Sequence, residues 1–337
     1  MAAHLQQGRR ARVLTLAVLL AALLLGALGA AVGSTGVERL WQLADDPIAW
    51  QIVRDIRLPR TAGAWLAGGL LGLAGAVAQG LFRNPLADPW LLGSASGAGL
   101  GVALALGAIG GSPAAAAWGV RLGLTGAAFA GAVAAVLLTL TLARGAQHTL
   151  RLLLAGVIVG MVLGAIKDLF TLSSADILQA LVVFMLGNTA LVGWNACAIM
   201  ALALAGCLLA ARLLAPVLDG LALGEATAAS LGLPLPAMRA ALVAVLSLAT
   251  GAAVAQTGLI AFVGLAAPHL VRSIIKTTHA WLLMLSAFMG GLLLMAADLL
   301  ARWLIAPQEL PVGVLTAVLG GGYLLFLMHR RARGASR

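Results

Sequence analysis

Ten apolar runs, each close to the length of a membrane-crossing helix, divide this chain, with short polar loops between them. A helix needs about 20 apolar residues to cross the hydrocarbon core, because each residue advances it by only ~1.5 Å. The runs cover residues 13–32, 61–82, 90–109, 114–143, 150–169, 190–213, 237–256, 259–275, 281–305 and 312–329. They predict an all-α polytopic membrane protein of about ten transmembrane helices, forming a single domain over 1–337. Charged residues make up 9% of the chain, against about 25% in a soluble domain. The first run exceeds the roughly 7–15 apolar residues of a signal-peptide core, so it is read as a span. Residues 33–60 read as a loop with a short amphipathic piece. The stretch 177–186 is too short to cross and is expected as a helix at the outer surface or partly re-entrant.

The cations orient the spans. With ten spans both termini share a side, and that side holds Arg9, Arg10, Arg12, Arg83, Arg144, Arg151, Arg212, Arg239, Arg272, Lys276, Arg330, Arg331, Arg333 and Arg337, fourteen of the 21 basic residues. Basic loops stay in the cytoplasm, so both termini are expected there. The net charge of +10 does not point to nucleic acid, because most of these cations sit in short loops between apolar runs.

Little in the chain suits catalysis. Its only lysines, Lys167 and Lys276, do not follow glycine, so no GxxxxGK[ST] phosphate loop is present. If ATP drives this protein, another chain hydrolyses it. Cys197 and Cys207 lie ten residues apart in one run, too far to bond on a straight helix, and read as packing residues. None of the five histidines stands at metal-ligand spacing from cysteine or carboxylate; His269, in APHLVR, reads as structural. No enzyme activity, metal or cofactor is expected. Lys167 and Asp168 sit near the rim of a span and can neutralise each other. No span carries an unpaired midplane charge of the kind an ion-coupled carrier would want. An ion-coupled secondary transporter nevertheless stays open as the alternative, and a structural membrane protein as a further one.

Three features could carry function. The segment 222–239, ALGEATAASLGLPLPAMR, is too polar to span and lies on the cytoplasmic side. It reads as a short helix pair, split near Gly232 to Pro236, which receives force from an ATP-hydrolysing partner. Glu225 near its start either touches that partner or caps a helix. Second, Arg57 and Arg60 flank Leu58-Pro59 at the outer mouth, and Arg302 stands four residues after Asp298, a favourable helix pair. These arginines either snorkel or form an exposed basic patch that docks carboxylates of an extracytoplasmic protein. Third, Gly156, Gly160 and Gly164 make two overlapping GxxxG steps, suited either to close packing within the chain or to a span lining a pathway. Gly68/Gly72 and Gly119/Gly123 are weaker copies. Finally, AGAVAQGLF (74–82) and AAVAQTGLIAF (252–262) are alike, and opposite directions would suit the inverted repeats of transporters.

Read in order, RLPR (57–60), QGLFRNPLADPWLLGSASGAGLG (79–101), LALGEATAASLGLPL (221–235), TGLIAFVGLAAPHLVR (257–272), DLLAR (298–302) and ELPVGVLTAVLG (309–320) resemble the FecCD permeases. These are the membrane subunits of type II ABC importers for vitamin B12, haem and ferric siderophores. The resemblance covers nearly the whole chain. It implies a permease moving a metal chelate across the bacterial inner membrane by alternating access. Its implied partners are two cytoplasmic ATPase subunits that bind the ATP and Mg, a periplasmic binding protein and a second permease copy, most simply a homodimer. It implies docking of the binding protein by Arg57, Arg60 and Arg302. ATPase coupling falls to 221–239, with Leu223, Gly224, Glu225, Ala228, Leu231, Gly232 and Leu233. The glycines of span five, Gly156, Gly160 and Gly164, would line the translocation path. One departure concerns the tryptophan- and glycine-rich segment after span five, which here reads VVFMLGNTALVGW (182–194) with only Trp194 kept.

Overall fold

The computed structural model describes residues 2–33, 36–37, 46–109, 118–143, 149–172, 174–230, 232 and 234–335. Each of the ten predicted runs contains a helix. In chain order these are α1 (Ala2–Ala31), α2 (Pro47–Ile52) running through a π-helical turn into α3 (Leu58–Leu81), α4 (Ser94–Ile109), α5 (Trp118–Leu142), α6 (Thr149–Thr171), α7 (Ala175–Leu186), α8 (Trp194–Leu213), α9 (Ala215–Ala222), α10 (Glu225–Ser230), α11 (Leu235–Thr257), α12 (Val263–Ile274), α13 (His279–Trp303) and α14 (Val312–Ala335). Seven of the described helical segments are long and apolar enough to cross a membrane. Large apolar side chains cover much of the outside, such as Leu23 on α1, Leu137 on α5 and Leu202 on α8. Such a surface is unstable in water and ordinary against lipid.

The bundle is built around α3. Every residue from Ala67 to Leu81 is buried, and α13, α12, α11 and α8 surround it. Glycine makes this possible. A Cβ on Gly68 would stand 2.3 Å from the Gly290 carbonyl oxygen, and one on Gly72 would stand 2.2 Å from that of Ser286. Two backbones therefore meet with no side chain between them. So the weaker-looking Gly68/Gly72 pair marks the tight crossing, of α3 with α13.

Two expectations are corrected. The predicted span 259–275 holds only the twelve-residue α12, about 18 Å long and short of the ~30 Å core. An irregular lead precedes it, with Gly258 and Phe262 at φ 69° and 68°. Within α12, Pro268 lacks the N–H that would bond the Gly264 carbonyl, and that carbonyl faces Gly75 of α3. The N-terminal helix, conversely, starts well before the apolar run, at Ala2. The short stretch expected at 177–186 is α7, which packs on α4, α6 and α14.

Residues 32–33 and 36–37 form a minimal antiparallel pair, Val32 opposite Val37. The repeat-like segments run in opposite directions. α3 starts near Asp298 and carries Gln79 in its last turn, whereas α11 carries Arg239 in its first turns and ends beside Asn188, whose N–H bonds the Thr257 carbonyl (2.7 Å).

Candidate functional sites at the two ends of the bundle

At one end, three helices and the segments leading into α8 and α14 meet in a buried ion cluster. Arg60, in the first turn of α3, donates from Nε to Asp298 Oδ1 of α13 (3.0 Å) and from Nη1 to Glu309 Oε2 (2.7 Å), just before α14. Arg302 pairs with the other oxygen of Asp298 and reaches Thr61 Oγ1 (3.1 Å) and the Gly29 carbonyl of α1 (3.1 Å). Thr189 Oγ1 donates to Asp298 Oδ1 (2.5 Å). One carboxylate thus serves two guanidiniums and a hydroxyl, as a buried charge must be compensated. Arg57 donates to the carbonyls of Ala30 and Ala31 at the end of α1, each at 3.3 Å. These carbonyls have no partner within the helix.

The exposed basic patch expected of Arg57, Arg60 and Arg302 is therefore corrected: their relative exposures are 6%, 7% and 1%. Their positive charge is turned inward, onto Asp298, Glu309 and the carbonyl end of α1. The i,i+4 pairing of Asp298 with Arg302 is legible in the sequence. The additions of Arg60 and Glu309 are not, since Arg60 lies 238 residues from Asp298. At the rim Glu309 keeps a partly exposed side chain (28%).

At the other end, the chain leaves α8 and makes an elbow before α11. Pro216 in the first turn starts α9, as proline at a helix start can, and Gly224 at φ 118° ends the turn that follows it. The helix pair is α9 and α10, split at Leu223–Gly224 rather than near Gly232 to Pro236. Gly232 (φ 75°) and Pro234 instead separate α10 from α11. Leu223 is 70% exposed, Ala228 is fully buried and Glu225 is exposed. Leu231 and Leu233 lie outside the described residues. Glu225 pairs with the buried Arg239 (2.6 Å), tying α10 to the first turns of α11. This ion pair is a third role for Glu225, beside the two the sequence leaves open, and Glu225 also stands at the first position of α10. Asp219 of α9 accepts from the backbone N–H of His279 (3.1 Å) and contacts its ring Nδ1 (2.6 Å), so it caps α13 from another helix. The elbow is thus anchored at both halves while its outer side stays open. Sequence reasoning missed Asp219 and His279 because sixty residues separate them.

Also at this end, Arg272 donates to Gln79 Oε1, and Gln79 Nε2 donates to the Leu265 carbonyl (3.3 Å). Burial pushes the half-buried Asp88 carboxyl up to about 6, while its hydrogen bond from the Trp90 N–H (3.0 Å) pulls it down.

The glycine face of α6 is occupied within the chain. Gly156 is buried, and Cβ atoms on Gly160 and Gly164 would meet Gly93 Cα at 3.6 Å and Ser96 Oγ at 3.8 Å. Gly93, at φ 78°, closes the turn before α4. The open face of α6 is the other one, with Val157, Ile158, Met161 and Val162 exposed. Gly156, Gly160 and Gly164 thus pack within the chain, on the side of α6 that faces α4 and the turn before it. Among the described residues no cluster of His, Cys, Asp or Glu could hold a metal ion.

Known proteins share this architecture. The hemin transport system permease protein HmuU of Yersinia pestis is 38% identical over 320 residues, covering 94% of each chain. The vitamin B12 import system permease protein BtuC of Salmonella typhi is 41% identical over 287 residues, covering 84% of each. A solved chain of an ABC transporter, assigned to the metal-chelate type and captured in an inward-facing conformation, superposes with a TM-score of 0.83. It is 26% identical and covers 95% of this chain and 99% of its own. PsaBC from Streptococcus pneumoniae shares the fold alone (TM-score 0.57, 18% identity). The FecCD transport family model matches residues 14–330, and with these relatives it establishes that the chain belongs to the FecCD transport family.

Proposed function

We propose that the chain is the permease subunit of an ATP-driven importer of a metal chelate: a ferric siderophore, haem or a cobalamin. It works by alternating access across a bacterial inner membrane, with both termini in the cytoplasm. The observation that carries this reading is the α9–α10 elbow. It is a short, outward-facing helix pair braced by Glu225–Arg239 and Asp219–His279. A rigid, exposed knuckle of this kind suits the transmission of force from a second protein, and no phosphate-loop sequence occurs in this chain. Two ATPase subunits seat on the elbows of two permease copies, which pair most simply as a homodimer. The path runs along the open face of α6, opposite its glycines.

The opposite end docks a periplasmic binding protein. Arg57 and Arg302 there hold the end of α1, and an incoming carboxylate exchanges with Glu309 on Arg60. Removing the internal competitor in Glu309→Gln is expected to tighten docking severalfold at low salt, as read by surface plasmon resonance. Weaker binding would refute the exchange.

The decisive experiment is reconstitution in proteoliposomes with the ATPase subunit, the binding protein and a panel of chelates. Uptake is expected only with ATP. Uptake by the lone chain on an ion gradient would favour the secondary-transporter reading instead. In the same assay Leu223→Asp is expected to weaken ATPase association by about tenfold or more, as for an exposed apolar anchor at an interface centre. Unimpaired association would remove the elbow from the interface.

A further inference from the structure

Beside the Gln79 end, two concavities meet in the seam between α1 and the end of α12. One, of about 470 Å³, is polar and has Arg10, Arg272 and Lys276 on its walls. The other, of about 440 Å³, is apolar and is lined by Val13, Leu14, Ala17 and Ile274, with Arg9 and Arg10 at its rim. Arg10, Ile274 and Ile275 belong to both, so the two form one groove, basic at its mouth and apolar along α1. From Arg10 to Ala17 the helix advances about 10 Å, enough for the upper part of an acyl chain.

Among the described residues, no carboxylate balances the charge of this groove. The first acidic residue of the chain is Glu38, and none occurs between Glu225 and Asp298. Neither α1, nor α12, nor the loop to α13 therefore offers a carboxylate. Among the described residues, no ion pair engages Arg9, Arg10 or Lys276, and Arg272 gives one N–H to Gln79.

We propose that this seam is a binding site for one anionic phospholipid. Its headgroup phosphate is held by Arg10, Arg272 and Lys276, and one acyl chain lies along Val13, Ala17 and Ile274. Charge selects the ligand's sign, and the apolar trough separates a lipid from a free anion. Exposed Leu16 and Leu20 continue the same lipid-facing side of α1 (61% each). The lipid would join the N-terminal helix to α12, which is itself tied to α3 through Arg272 and Gln79.

The test uses native mass spectrometry of the full chain in detergent after delipidation, titrated with phosphatidylglycerol, phosphatidylcholine or inorganic phosphate. One phosphatidylglycerol is expected to bind in preference to phosphatidylcholine. Each cation removed should weaken it about fivefold, so Arg10→Ala with Lys276→Ala should weaken it about 25-fold. Arg10 and Lys276 are both exposed, so the double variant should fold, which its elution profile checks. Ala17→Trp, which fills the trough and leaves every charge in place, should also abolish lipid binding. Equal retention of both lipids would overturn the proposal. So would full displacement by inorganic phosphate, unchanged binding in both variants, or protection of the groove by a co-purifying polypeptide instead.

Discussion

Asp298→Ala is expected to be the most damaging single substitution outside the helix crossings, costing about 3–5 kcal/mol, because it leaves buried charge uncompensated. The carboxylate is 1% exposed and accepts from Arg60, Arg302 and Thr189. Without it Arg302, also 1% exposed, keeps only Thr61 and the Gly29 carbonyl. Arg60 keeps Glu309 at the rim. The effect should appear as a large drop in the apparent Tm of the detergent-solubilised protein, followed by monodisperse elution after heating. A second measurement separates loss of charge balance from loss of packing. If the cost is an orphaned guanidinium, removing it as well in Asp298→Leu with Arg302→Met should restore much of the stability lost in Asp298→Leu. The two residues are then coupled in a double-mutant cycle. A double variant as damaged as the sum of the singles would refute the electrostatic account, and a wild-type Tm for Asp298→Ala would refute the cluster's role altogether.

This cluster shows where reading the sequence stops. Helical spacing makes Asp298 and Arg302 neighbours, and that much is visible in DLLAR. Whether the pair faces lipid, water or other charges depends on which helices pack beside it. Arg60 arrives from α3 and Glu309 from the segment before α14, and local pattern carries no information about either contact. A place at the mouth of a span suggests exposure for Arg57 and Arg60, but the end of α1 covers Arg57, and Asp298 and Glu309 hold Arg60. From Ala222 onward the elbow is legible as a polar interruption, because Gly224, Gly232 and Pro234 are local signals; α9, which precedes it, is not. The location of its internal split was not, since two glycines of positive φ compete for the role. Apolarity alone marked 259–275 as a span, because hydropathy does not register the turn at Gly258–Phe262 or the proline within α12. The family, by contrast, was legible from motif order alone, and the match over residues 14–330 agrees with it.

Gly75→Ala is expected to cost at least as much as the upper end of the roughly 1–3 kcal/mol typical of overpacking, whereas Gly164→Ala should be tolerated. The two glycines look alike in sequence: each sits in a GxxxG-rich apolar run. Their surroundings differ. A Cβ on Gly75 would stand 1.7 Å from the Gly264 carbonyl oxygen, whereas one on Gly164 would meet only Ser96 Oγ, at 3.8 Å. A side chain can rotate away from a new methyl group, but a helix backbone cannot, so Gly75→Ala must push α12 off α3. Pro268 supplies no N–H to the Gly264 carbonyl, so that oxygen lacks the helical partner it would otherwise have. Alanine at Gly164 instead gains up to about 1 kcal/mol of helix propensity, within ordinary contact of its neighbour. The measurement is the fraction of protein eluting monodisperse after a fixed heat step, with Gly68→Ala alongside Gly75→Ala and Gly160→Ala alongside Gly164→Ala. Equal losses in the two pairs would show that spacing, not contact, governs these positions. The expected contrast has a mechanical meaning. Helices α3, α12 and α13 are joined backbone to backbone and should move as one rigid block during transport, whereas α6 rests on α4 through looser contacts and has more freedom to shift.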